Sequence, residues 1–133
     1  MKAIVLCGGK GTRLRPYTYT IPKPMLPLGK KPILQYVLAS LSRAGITEAY
    51  LTVGYLHEQI EAYFGDGSKF GLKLYYSVET SVLGTAGSII PLMGRMDDTF
   101  YFIELDRRGI EVYIDTDLLV AHFTGDWRKV ADF

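Results

Sequence analysis

The sequence predicts an α/β fold: a truncated, Rossmann-like three-layer α/β/α arrangement around a mainly parallel sheet, with a β-hairpin near the C-terminus. Three observations carry this. Short apolar runs alternate with amphipathic helical patterns through residue 105. The first run, "KAIVLC", is continuously apolar, as a strand buried on both faces must be. Around residue 106, two β-rich arms flank Asp-Arg-Arg-Gly.

Each element can be justified in order. "KAIVLC" ends in Gly8-Gly9 and reads as the first strand. "KPILQYVLASLSRAG" reads as a helix: Pro32 suits its first turn, Gly45 suits the residue just past its end, and Leu34, Val37, Leu38 and Leu41 share one face. "EAYLTVG" is the second strand. Leu56, Ile60, Tyr63 and Phe64 mark a second amphipathic helix, closed by Gly65. "LKLYYSV" is the third strand. Ala86, Ile89, Ile90 and Met93 have helical spacing, and Pro91 is expected to kink or end that helix. "TFYFIEL" is the fourth strand. In "ELDRRGIEVYI", Asp106 and Gly109 suit the first and fourth positions of a type I turn. Beyond it, Leu118, Leu119 and His122 suggest a short helix, with Trp127 and Phe133 as packing residues.

Composition narrows the function. The 133 residues suffice for one domain with a core, and a hydrophobic content of 48% argues against disorder. A net charge of +1 gives no global attraction to nucleic acid or membrane, so any anion site is local. Cys7 is the one cysteine, which excludes an internal disulfide and fits a reducing, cytoplasmic setting. At the end of an apolar strand it reads as a small buried hydrophobe rather than a nucleophile. "AIVLC" is too short for a signal peptide or a membrane span. Neither His57 nor His122 has a metal-ligand partner at motif spacing.

One stretch stands apart. "CGGKGTRLRPYTYTIPKPM", residues 7–25, holds three glycines, four Lys or Arg, three prolines and no acidic residue. It follows the carboxyl end of a parallel strand, where such sheets bind ligands. A P-loop string is absent, and the G-x-G-x-x-G pattern fails at Leu14. The residues nevertheless suit a polyphosphate. Gly8, Gly9 and Gly11 let backbone amides approach closely. Thr12 offers a hydroxyl, Arg13 can fork two phosphate oxygens, and Lys23 adds a point charge. Pro16, Pro22 and Pro24 stiffen the loop and reduce the entropy lost on binding. A plain glycine turn with solvated charges explains this combination poorly, whereas Lys30 and Lys31 read as solvated.

"GGKGTRLRPYT", followed by "PKPMLPLGKKPIL", resembles the signature of the sugar-1-phosphate nucleotidyltransferases, the nucleotide-sugar pyrophosphorylases. "VETSVLGTAGSI" resembles their E-x-x-x-LGTAG segment, in a form closer to guanylyl- and thymidylyl-transferring members. The resemblance covers residues 1–100 of a single expected domain, 1–133, and leaves 101–133 as a divergent tail. It implies an enzyme that joins a nucleoside triphosphate to a sugar 1-phosphate and releases pyrophosphate, with Mg²⁺ bridging phosphate oxygens. By resemblance, Gly8, Gly9 and Gly11 line the nucleotide, Arg13 holds the departing phosphates, and Lys23 neutralises charge near the α-phosphate. Glu79 and the Gly84–Thr85 turn lie near base and ribose. Glu79 also reads as a solvated strand-end charge, and Thr85 as a cap of the helix after Gly84.

The resemblance weakens after residue 100. The family's next strand ends near N-G-D, whose Asp binds the catalytic metal. Asp106 falls at that position, but Glu104 and Leu105 replace Asn and Gly, and the turn reading competes for the same residue. Two functions follow: nucleotidyl transfer, or a nucleotide-binding module with little turnover. A shortened core that leaves apolar surface uncovered also favours self-association.

Overall fold

The structure is a computed structural model that describes residues 1–9, 15–81, 84–96, 99–106, 109–116 and 119–124. In chain order the elements are β1 (Lys2–Leu6), β2 (Pro27–Leu28), β3 (Lys31–Pro32), α1 (Ile33–Arg43), β4 (Glu48–Val53), α2 (His57–Phe64), β5 (Lys73–Val78), α3 (Gly84–Ile89), β6 (Thr99–Asp106), β7 (Gly109–Thr116) and β8 (Leu119–Thr124). Six strands form one sheet in the order β5-β4-β1-β6-β7-β8. The first four are mutually parallel, and β7 and β8 join antiparallel at one side.

β1 lies between β4 and β6, which is why its residues are apolar without alternation. Ala3, Val5 and Cys7 pack with Leu34, Val37, Leu38 and Leu41 of α1 and Ile60 and Phe64 of α2. Ile4 and Leu6 point the other way, into a smaller cluster with Tyr50, Tyr75, Ile89 and Leu92. Helices therefore cover both faces, in three layers. Among the described residues, no helix is long and apolar enough to cross a membrane.

Local chemistry sets the boundaries. Gly45, at φ 86, lies just past α1, and Ile46 N–H donates to Leu41 O to finish that helix. Pro32 stands one residue earlier than expected, at the cap, where ψ 149 keeps it extended and paired with Pro27. Tyr63 does not join the buried stripe of α2; it is half exposed, bonded to Gln35 and stacked beside Phe70, because this eight-residue helix buries Ile60 and Phe64 alone. After α3, Pro91 shifts the chain into a 3-10 turn over Ile90–Arg95. Its three-residue period brings Leu92 under Ile89 and leaves Ile90 and Met93 exposed, contrary to their helical spacing.

The expected hairpin is present: β6 and β7 are antiparallel, and Asp106 pairs with Gly109 across a two-residue connection. The expected helix after it is not. Leu119 and His122 belong to strand β8, and Thr116 pairs with Leu119. Leu119, Ala121 and Phe123 alternate with Val120, His122 and Thr124, and that period of two outweighs a helical spacing resting on three residues. Leu118, Trp127 and Phe133 lie outside the described residues.

The chain runs outward from β1 to β4 and β5, then returns to β6 on the opposite side of β1. The strand order reverses there, so the crevice beyond the carboxyl ends of β1 and β6 is the ligand position this topology favours.

Candidate functional site

The register of the strands assembles that edge. Leu6 is paired with Thr52 and Glu104, and Thr52 with Ser77. Two residues further along, Gly8, Gly54, Glu79 and Asp106 stand level with one another. The ladder persists past the strand ends: Cys7 N–H donates to Thr52 O at 2.8 Å and Glu79 N–H to Val53 O at 2.7 Å.

Two glycines in this row open a path across the sheet edge. A Cβ on Gly54 would lie 3.9 Å from the Glu79 Cβ, and one on Gly8 would lie 3.0 Å from its Oε2. The Glu79 carboxylate thus rests against the Gly8 backbone. Its Oε1 is buried and has no hydrogen-bond partner among the described residues. One row below, on the same face, Thr52 Oγ1 is also buried without such a partner. Buried acceptors are ordinarily hydrogen-bonded. Glu79 as a whole is half-buried, so a strand-end charge with one oxygen turned inward describes it. Gly9 follows at φ 98, a conformation that favours glycine, with no described residue within 4 Å of where a Cβ would be.

The return segment of the loop is anchored. Pro22 and Pro24 are buried and Pro16 is exposed. The Lys23–Met25 turn packs against α1 and α2, with Lys23 half-buried. Tyr55 Oη donates to Tyr19 O at 2.8 Å and Gln59 Nε2 to Thr20 O at 2.7 Å. The Arg15 guanidinium lies 5.0 Å from the centre of the Tyr19 ring. Gly11, Thr12 and Arg13 lie outside the described residues.

On the opposite side of the crevice, α3 lies beside β1 and begins at Gly84. Because α3 follows β5, Gly84 shares the carboxyl edge with Gly8 and Gly9. Thr85 is the second residue of α3, and residues 82 and 83, which precede the helix, lie outside the described residues. Asp106 ends β6 and its backbone opens the hairpin.

Two residues fall outside the chemistry. Burial drives the Cys7 thiol far above its ordinary pKa, which suits packing and not nucleophilic attack. His57 is held by its own helix, with Nδ1 3.0 Å from Glu61 Oε2 and Nε2 3.3 Å from Glu58 Oε1. Among the described residues, no cluster of three or more His, Cys, Asp or Glu could hold a metal. Nothing in the sequence singled out Gly54, Tyr55 or Gln59; a glycine directly after the second strand was the available signal for the first.

A doubly wound sheet with a glycine turn at its switch point defines an α/β protein built to take a ligand at one edge. The chain belongs to the Nucleotidyl transferase family, whose pattern it matches over residues 2–105. It is 39% identical to a UTP–glucose-1-phosphate uridylyltransferase of Synechocystis, over 91% of this chain and 33% of that protein. It is 41% identical to a D-glycero-alpha-D-manno-heptose 1-phosphate guanylyltransferase of Campylobacter jejuni, over 80% of this chain and 52% of that one. The chain therefore spans about a third to a half of the length of these relatives. Among solved structures, a UDP-glucose pyrophosphorylase complexed with UDP-glucose superposes with a TM-score of 0.68 and 25% identity, covering 87% of this chain and 48% of that one.

Proposed function

We propose that this chain binds a nucleoside triphosphate at the carboxyl edge of β1, for transfer of its nucleoside monophosphate to a sugar 1-phosphate with release of pyrophosphate. The observation that carries this reading is the half-buried Glu79, whose carboxylate lies beside Gly8 with Oε1 buried. Glu79 then accepts a hydrogen bond from base or ribose. Gly8, Gly9 and Gly11 leave room for phosphate oxygens to meet backbone amides, and Thr12 adds a hydroxyl. Arg13 forks two oxygens of the departing pyrophosphate, and Lys23 offsets charge at the α-phosphate. Gly84 and Thr85 close the nucleotide from the α3 side. Catalysis is then positioning plus electrostatic stabilisation of an in-line displacement, without a covalent intermediate.

Mg²⁺ fits this edge. It binds proteins through one or two carboxylates together with substrate phosphates, and the register carries Asp106 level with Gly8. Asp106 would hold the ion, which supplies charge neutralisation across phosphate oxygens. We assign residues 1–133 to one domain, and the single buried thiol of Cys7 accords with a cytoplasmic setting. The 3-10 turn leaves Ile90 and Met93 exposed, which supports self-association.

A second reading, nucleotide binding with little turnover, is favoured by the hairpin that turns β6 back directly after Asp106. Calorimetric titration with GTP, dTTP and UTP, with and without Mg²⁺, tests what both readings share. Saturable binding of at least one triphosphate is expected. Absence of binding to all three overturns both.

A further inference from the structure

The loop between the glycine turn and Lys23 closes two short turns on itself. Tyr19 N–H donates to Pro16 O, and Met25 N–H donates to Pro22 O. Between those turns the chain is held from outside. The Tyr55 hydroxyl takes Tyr19 O and the Gln59 amide takes Thr20 O, two adjacent carbonyls. Both donors come from one corner of the fold. Tyr55 follows Gly54 at the carboxyl end of β4, and Gln59 lies in the first turn of α2. Between them Leu56 has φ 56, a left-handed conformation that strains a leucine. A strained residue persists where its surroundings fix it.

Two cations of the loop flank this latch. Arg15 lies four residues before Tyr19, with its guanidinium over the Tyr19 ring, and Lys23 lies three residues after Thr20. We infer that Tyr55 and Gln59 are positioning residues of the nucleotide loop, which touch no ligand and hold Arg15 and the Lys23 turn in place by fixing the carbonyls of Tyr19 and Thr20. Residues 16–25 are thereby ordered during folding, so less ordering entropy is lost when phosphate arrives. This inference rests on the reading of the loop as a triphosphate site.

The test uses the full 133-residue chain. Tyr55→Phe and Gln59→Leu each remove one donor. Gln59→Lys keeps a donor of similar reach. Tyr63→Phe is the control: it removes a hydroxyl from the same helix, one bonded to Gln35 and not to the loop. Two measurements are made. Amide hydrogen exchange without ligand should quicken at Tyr19, Met25 and Leu26 in Tyr55→Phe and Gln59→Leu, and not in Gln59→Lys or Tyr63→Phe. Triphosphate affinity should fall by about three- to tenfold in the first two variants, with melting temperature close to wild type, and be retained in the other two. Unchanged exchange in both donor-deleted variants overturns the latch, whatever the chain binds. Faster exchange with unchanged affinity overturns its role in binding. If the wild-type chain binds no triphosphate, the functional reading fails, while the exchange data still decide whether the latch exists.

Discussion

At the residue scale, the site depends on what small side chains leave open. Gly8 has no Cβ, and one built there would meet Glu79 Oε2 at 3.0 Å, a tight contact. Gly8→Ala should therefore push that carboxylate aside. The obstructing atom is the end of a flexible side chain, so the fold should tolerate the change. We expect a melting temperature near wild type and triphosphate affinity lower by about tenfold, the worth of one hydrogen bond at the upper end of its range. Equal affinity in a calorimetric titration would separate Glu79 from the ligand. Arg13→Ala should cost about 1.5–3 kcal/mol of binding, a charge-assisted hydrogen bond. Arg95→Ala should cost nothing measurable, because Arg95 is exposed at the end of a 3-10 turn remote in sequence from the glycine loop. Identical affinities for the two variants would count against a phosphate role for Arg13. The glycines and cations of this loop were legible in the sequence because their chemistry is carried by residue type. Tyr55 and Gln59 were not, since their donors meet main-chain carbonyls, which no side-chain pattern encodes.

At the element scale, the joint between α2 and β5 is the least forgiving. Gly67 has φ 83, and a Cβ there would fall 2.5 Å from Leu74 Cγ and 2.8 Å from Leu72 O. Gly45 has a similar φ of 86 with nothing within 4 Å. Gly45→Ala should lose about 1–2 kcal/mol from left-handed strain alone. Gly67→Ala should lose that and about 1–3 kcal/mol more from overpacking. Denaturant unfolding of both variants checks the order; equal losses would mean that the joint relaxes. The same joint carries a pH dependence. Tyr76 of β5 donates its hydroxyl to Gly65 O at 2.7 Å, and burial, helped by Glu61, pushes its pKa up to about 12 from 10.0. The folded state thus favours the neutral phenol. Its contribution is complete below pH 10 and is lost as pH rises from about 10 through about 12. Unfolding followed across that range should show a steeper loss in wild type than in Tyr76→Phe, and parallel curves would remove Tyr76 as the cause. The parallel strands and the first two helices were legible because burial on two faces, or on one stripe, leaves a periodic record. β8 was not: its six residues satisfy both periods in part, and pairing with β7 decides between them.

At the scale of the whole molecule, binding and turnover make different demands. On the proposed reading, binding needs the loop after β1 and the Glu79 carboxylate, at the edge of four mutually parallel strands where strand order reverses. Turnover would also need a metal, which Asp106 would hold and which would neutralise phosphate charge, and a sugar phosphate held in line. Asp106 stands at the right level of the sheet, yet its backbone pairs with Gly109 and begins a hairpin that leads away into β7 and β8. A carboxylate at the first position of a tight turn tends to bond its own backbone, which competes with a metal. A small misplacement of reacting groups costs about a hundredfold in rate. We therefore expect the 133-residue chain to bind triphosphate and release pyrophosphate slowly, below about 1 s⁻¹, the lower bound of ordinary turnover. The measurement is pyrophosphate release with Mg²⁺, each of GTP, dTTP and UTP, and a panel of sugar 1-phosphates. Asp106→Asn should lower whatever rate remains and leave metal-free triphosphate affinity intact. A rate of about 1 s⁻¹ or faster that survives Asp106→Asn would show that the metal is held elsewhere and that the hairpin is compatible with a working site.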